Sequence, residues 1–157
     1  MANSYTQTSF STPVKNMTAI KNVLFELNKF DSLMDEGVDC KTPAYAEYVR
    51  HTQHSTPAIQ CITVNDELQT IEVVVETHED YDVLGYLLHK IISVEPEDTT
   101  WVIPYAATCD QMRIDAFGGG VLVVTKDGWG IWSAEQLAAM IVYRLGDLDL
   151  VDRYVNE

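Results

Sequence analysis

The stretch from Leu68 to Ile92 constrains the fold more than any other part of the chain, because two hydrophobic periods meet in it. Along Gln69–Thr77, Ile71, Val73 and Val75 alternate with Thr70, Glu72 and Glu76, the period of two that belongs to a half-buried strand. The period then lengthens to that of a helix. Val83, Leu87 and Ile91 form one i, i+4 row beside a second of Leu84, Leu88 and Ile92, a face wide enough to cover a sheet. Thr77 is expected to cap this helix, with Asp80 reaching back to complete a capping box. One side of the unit is therefore a core surface. The other is acidic.

That acidity is the main compositional fact. The chain carries a formal net charge of −14 over 157 residues. Between Asp66 and Asp98 the residues Asp66, Glu67, Glu72, Glu76, Glu79, Asp80, Asp82, Glu95, Glu97 and Asp98 face a single base, Lys90, so most of the net charge sits in about a fifth of the length. Such a field repels nucleic acid and acidic membranes and attracts basic surfaces. Glu79, Asp80 and Asp82 also suit the first turn of a helix, whose dipole favours negative charge. Glu72 and Glu76 have no such reason to be where they are. They point away from the core on the strand.

With 46% hydrophobic residues the chain is long enough for one core, and residues 13–157 read as a single domain. Residues 1–12, rich in Ser, Thr, Asn and Gln, read as a flexible N-terminal arm. The absence of a long apolar run or a signal-peptide core predicts a soluble, cytoplasmic protein that does not enter a membrane. Cys40, Cys61 and Cys109 are odd in number and in no paired motif, so buried thiols are expected rather than disulfides or a zinc site.

Along the chain, Pro13 opens a helix expected over Val14–Lys29, followed by a charged connector from Asp31 to Lys41. Thr42 and Pro43 cap a second helix through Tyr45, Tyr48 and Val49. Strands are expected at Ile59–Val64, hairpinned to Gln69–Thr77 through Asn65 and Asp66, and at Thr99–Tyr105, where Pro104 points to a sheet edge. Val121–Thr125, apolar without alternation, reads as a strand covered on both faces, and returns through Lys126–Gly128 to Trp129–Trp132. Ser133 with Gln136 is a capping box for a last helix ending near Gly146. The tail from Asp147 to Val151 fits a short helix or an added strand. This order predicts an α+β fold, a mainly antiparallel sheet of about five strands covered by three to four helices. The passage from Gln69 to Tyr105 also fits a crossover between parallel strands.

No stretch matches a catalytic or cofactor motif. Gly118, Gly119 and Gly120 lead into a strand rather than a helix, with no Lys-Ser or Lys-Thr behind them, so close backbone packing beside Trp129 or Trp132 explains them better than a phosphate cradle. Cys109, Asp110, Arg113 and Asp115 make the one candidate catalytic cluster, with His78 or His89 as the base a nucleophilic thiol needs; an arginine pinned between two carboxylates is the simpler explanation. His89 is expected at the surface. His51 and His54 share a helix face with Glu47, yet zinc takes three or four protein ligands, so neither a metal nor a cofactor is expected.

The chain is similar in size and charge, though in no motif, to the small acidic α+β proteins with which viruses and mobile elements occupy the basic grooves of nucleic-acid enzymes. The leading expectation is therefore a non-enzymatic inhibitor whose acidic residues between Asp66 and Asp98 engage a basic partner surface, with no direct binding of nucleic acid. The rival expectations are a small enzyme or ligand-binding domain built on the 109–120 loop, and a homo-oligomer using Trp101, Trp129 and Trp132 as contacts.

Overall fold

The computed structural model describes residues 4–39, 42–55, 58–76, 80–109 and 118–147. The fold is α+β. Six strands form one sheet in the order β2-β3-β1-β4-β5-β6, each neighbour antiparallel to the next: β1 Ser4–Pro13, β2 Ile62–Asn65, β3 Thr70–Val75, β4 Trp101–Cys109, β5 Gly118–Thr125 and β6 Gly128–Ser133. Four helices accompany it: α1 Met17–Asp35, α2 Pro43–Thr52, α3 Tyr81–Ile92 and α4 Ala134–Asp147.

The five strands expected from the sequence are present, and the sixth is the segment that reads as a flexible arm. Its polar composition hides a strand in the middle of the sheet. Residues Thr8–Pro13 pair with β3 on one edge and Ser4–Gln7 with β4 on the other, so every residue of the strand finds a backbone partner and the side chains need not be apolar. Thr8 and Phe10 face inward, with Thr8 buried and Phe10 half-buried against Trp101 at a ring separation of 6.5 Å. Because β1 lies between β3 and β4, those two strands run parallel, and α3 is the crossover that joins them.

Pro104, expected at an edge, lies instead in an interior strand. Alternation along the β4–β5 register turns the N–H that proline lacks toward β1. The β1–β4 pairing stops at Gln7 and Ala106, short of the proline, and the Thr8 hydroxyl donates to the Pro104 carbonyl at 2.5 Å instead. The sheet thus divides at β1 into a β2–β3 half and a β4–β5–β6 half.

Both halves present one apolar face to the helical layer, in which α3 lies on β5 and β6 and packs against α1 and α2. Ile62, Ile71, Val73, Val75, Trp101, Ile103, Leu122 and Val124 are all buried there. Against them α3 buries both predicted rows, with Leu84, Leu87, Leu88, Ile91 and Ile92 fully inaccessible. Gly85 matters on this helix: a Cβ there would collide with the Trp129 ring, which lies directly on the backbone. The cap is Asp80 rather than Thr77, which lies outside the described residues; its carboxylate accepts from the N–H groups of Asp82 and Val83.

Two other boundaries moved. Helix α1 starts at Met17 behind an Asn16 cap and continues through the expected connector to Asp35, because Leu33 and Met34 keep the apolar period and are half-buried. It closes in a Schellman motif: Gly37, at φ 67°, donates to Met34 and Val38 donates to Leu33. The capping boxes fared better. The Ser133 and Gln136 side chains each accept from the other's backbone N–H, and the Thr42 side chain accepts from Tyr45. No helix among the described residues is long and apolar enough to cross a membrane. The expected tail element beyond Asp147 lies outside the described residues.

Candidate functional site

The alternation that buries Ile71, Val73 and Val75 turns Thr70, Glu72, Val74 and Glu76 to the opposite face of β3. The register sets Glu72 between Ser11 of β1 and Thr63 of β2. Glu72 is half-buried among these hydroxyl-bearing neighbours and Glu76 is exposed about 13 Å further along, at four residues of strand rise. Not one of the six strands contains Lys or Arg, and Glu72 is the only charged residue within them. Among the described residues neither carboxylate has an ion-pair partner.

The remaining acidic candidates separate into two groups at opposite ends of the sheet. At the end where β3 begins, Asp66 pairs with Lys21, and Glu67 lies in the hairpin turn, where its N–H donates to the Asn65 side chain. Glu97 pairs with Lys15 at 2.5 Å, and that hydrogen bond holds its carboxyl below the usual carboxylate range. Asp98 is exposed at the same end. Glu95 is not available to any partner: it is 6% exposed and its two oxygens accept from the N–H groups of Lys15 and Asn16 at 2.9 and 3.0 Å. It ties the α3–β4 loop to the start of α1. At the other end Asp80 caps α3 and accepts from the Ser55 hydroxyl, while Asp82 accepts from the Trp129 indole N–H at 2.8 Å. Glu79 lies outside the described residues. Glu72 and Glu76 lie between these ends on the outer face of β3, whereas Asp82 lies on α3 against Trp129 of β6.

A second cluster went unread in the sequence. The His51 ring stacks on Tyr86 at 4.3 Å, Trp129 meets His51, Tyr86 and His89, and Lys90 lies 5.5 Å over the Tyr86 ring while binding Glu47 at 2.8 Å. His89, expected at the surface, is half-buried with Nδ1 2.9 Å from the Thr125 carbonyl. The signal was the repeat of Asp82, Tyr86 and His89 along one side of α3, legible only once β6 is known to lie beside it. Burial pushes the phenols of Tyr48 and Tyr86 well above their ordinary value, so both stay protonated. The cluster fastens α2, α3 and β6 together. His54 is exposed, and no group of three potential metal ligands forms among the described residues.

Gly118–Gly120 is part of β5 rather than a loop. A Cβ at Gly120 would meet the Trp132 carbonyl and the Tyr105 ring, so close packing accounts for the residue. Cys109 ends β4, and Asp110, Arg113 and Asp115 lie outside the described residues, as does His78. Two shallow hollows border α2. One of about 150 Å³ is lined by Leu27, Phe30, Tyr86 and Lys90 among others, and one of about 370 Å³ by Pro43, Ala46, Glu47 and Arg50. Among the described residues neither is lined by a Ser, Thr or Cys. Compared with protein-family models, with curated proteins and with solved structures, the chain matches none.

Proposed function

We propose that this chain is a non-enzymatic binding protein whose carboxylates engage a basic surface of a nucleic-acid-handling protein and block it. One observation carries the reading: Glu72 and Glu76 point away from the core on a sheet with no base in any strand, where among the described residues neither helix dipole nor ion pairing explains them. Burying a partner's Lys or Arg against such a face supplies the countercharge that the protein itself withholds. The partner surface runs along β3, from Asp66 and Glu67 through Glu72 to Glu76, with Asp80 and Asp82 at its far end and Glu97 and Asp98 near its beginning. Glu95 is excluded by its burial.

The test is capture of partners from lysate on immobilised protein, followed by surface plasmon resonance on whatever is captured. Nucleic-acid-handling proteins should dominate and elute as salt rises, since a Debye length of about 8 Å at physiological ionic strength shrinks further. The double variant Glu72→Gln, Glu76→Gln should slow association with each of them. Capture that is indifferent both to salt and to the double variant would leave these carboxylates as solvated surface.

A further inference from the structure

We infer that the chain forms a two-fold dimer by antiparallel pairing of β6 with β6 of a second copy. Strand β6 is an edge: among the described residues it pairs with β5 alone. Natural edges are blunted by charge, by proline, by bulges or by brevity. At the opposite edge, β2 has four residues and leads into a turn bearing Asp66 and Glu67. By contrast β6, Gly-Trp-Gly-Ile-Trp-Ser, has six residues, no charge, no proline and an unbroken register with β5. It is a template for another strand.

The register names the occupant. Lys126 and Asp127 form a two-residue loop, so Thr125 and Gly128 are the first hydrogen-bonded pair and the pattern then alternates. Gly128, Gly130 and Trp132 turn their backbone groups toward β5; Trp129, Ile131 and Ser133 turn theirs outward. A two-fold axis through Ile131 sets Ile131 against Ile131 of the second copy and Trp129 against its Ser133. In that register the Ile131 pair exchanges two hydrogen bonds and each Trp129 N–H meets a Ser133 carbonyl, about four in all, because the Ser133 N–H is held by the Gln136 side chain. On the inner face it covers Ile131, a large apolar side chain left 37% exposed. On the outer face it sets Gly130 opposite Trp132 of the second copy in a close, non-hydrogen-bonded pair. Trp132 already leans back over its own Gly130, with ring atoms 2.5 Å from where a Cβ would be, so the two indoles lie side by side across the axis. Charge points to the same occupant. Two copies at −14 each repel wherever carboxylates meet, and a whole strand without charge is where they can approach.

The experiment is sedimentation equilibrium on the full chain from low to high micromolar concentration, at low and high salt. Wild-type protein should move from 17.7 kDa to twice that mass, and the dimer should tighten as salt rises because screening relieves the mutual repulsion. Partner binding through the carboxylates has the opposite salt dependence, so the two readings stand or fall separately. Ile131→Lys puts two like charges on the axis. Ile131→Pro deletes an N–H that faces outward and leaves the β5–β6 ladder whole. Both variants should stay monomeric at every concentration, with far-UV circular dichroism and melting like those of dilute wild-type protein. A wild-type chain that remains monomeric at high salt, or a dimer that survives in the folded variants, would overturn the assignment.

Discussion

The two halves of the sheet share an inner face and differ on the outer one. In the β2–β3 half, with the part of β1 that pairs with it, the outer residues Thr63, Thr70, Glu72, Ser9 and Ser11 are polar, with Val74 and Pro13 the apolar exceptions. In the β4–β5–β6 half they are Val102, Pro104, Val121, Val123 and Trp132, with no charge among them. Inner faces must be apolar because the same helices cover them; outer faces answer to whatever meets them afterwards. The proposed basic partner would meet the polar half, and the proposed second copy would meet the edge of the uncharged half. Strand β1 belongs to both, and Pro104 marks where one gives way to the other.

The largest effect is expected from removing the shared strand. Deleting residues 1–10 leaves β3 and β4 without the neighbour that holds them in one sheet, and the shortened chain should lose cooperative unfolding and near-UV circular dichroism. A loose arm would be dispensable, so a truncated protein that melts like the full chain would refute the placement of β1. Phe10→Ala is the next test, since the ring bridges the division by packing on Trp101. Truncating a partly buried phenylalanine should cost about 2–3 kcal/mol in urea unfolding, at the lower end for large aromatic truncations or below it.

Pro104→Val tests where the two halves part. It restores a donor facing β1, and a new hydrogen bond is worth about 0.5–1.5 kcal/mol against an unfolded chain freed by about the same amount. Stability should change by less than about 1 kcal/mol, while the new amide at position 104 shows slow hydrogen exchange. Fast exchange there would mean that the proline does not cause the break in pairing.

With Glu72 the only charge in the strands, titration of stability belongs largely to the helical layer. The hydrogen bond from Lys90 lowers the Glu47 carboxyl below its ordinary value. A depressed carboxyl stabilises the fold above its unfolded pKa and loses that contribution as pH falls through the folded one. Asp31 has the reverse sign: burial raises its carboxyl, against the hydrogen bond from Tyr48, so its part of the stability declines as pH rises through that range. Glu47→Gln should therefore cost about 0.5 kcal/mol at neutral pH, the pair being partly exposed and screened, and nothing in acid. A cost that is the same at both pH values would remove the ion pair as its origin. The smallest effect on stability is expected for Glu72→Gln with Glu76→Gln, within about 0.5 kcal/mol for each change. A larger loss in thermal melts would show that these carboxylates serve the fold rather than a partner.

The sequence by itself determined the elements whose signal is local. The two rows of α3, the alternation of β3, the Ser133–Gln136 and Thr42 caps and the turns at Asn65 and Lys126 were legible because each is a relation between residues a few positions apart. The acidic bias was legible as composition. The remaining features depend on neighbours distant in the chain. A polar run became the shared strand of the sheet because two strands satisfied its backbone. A proline lay inside the sheet because the lattice of pairs opened there. Glu95 passed from the surface to the core because the backbone of Lys15 and Asn16 came to bind it, and His89 turned inward because Trp129 arrived beside Gly85. Backbone pairing and burial are properties of pairs of segments, and a single segment carries only half of each.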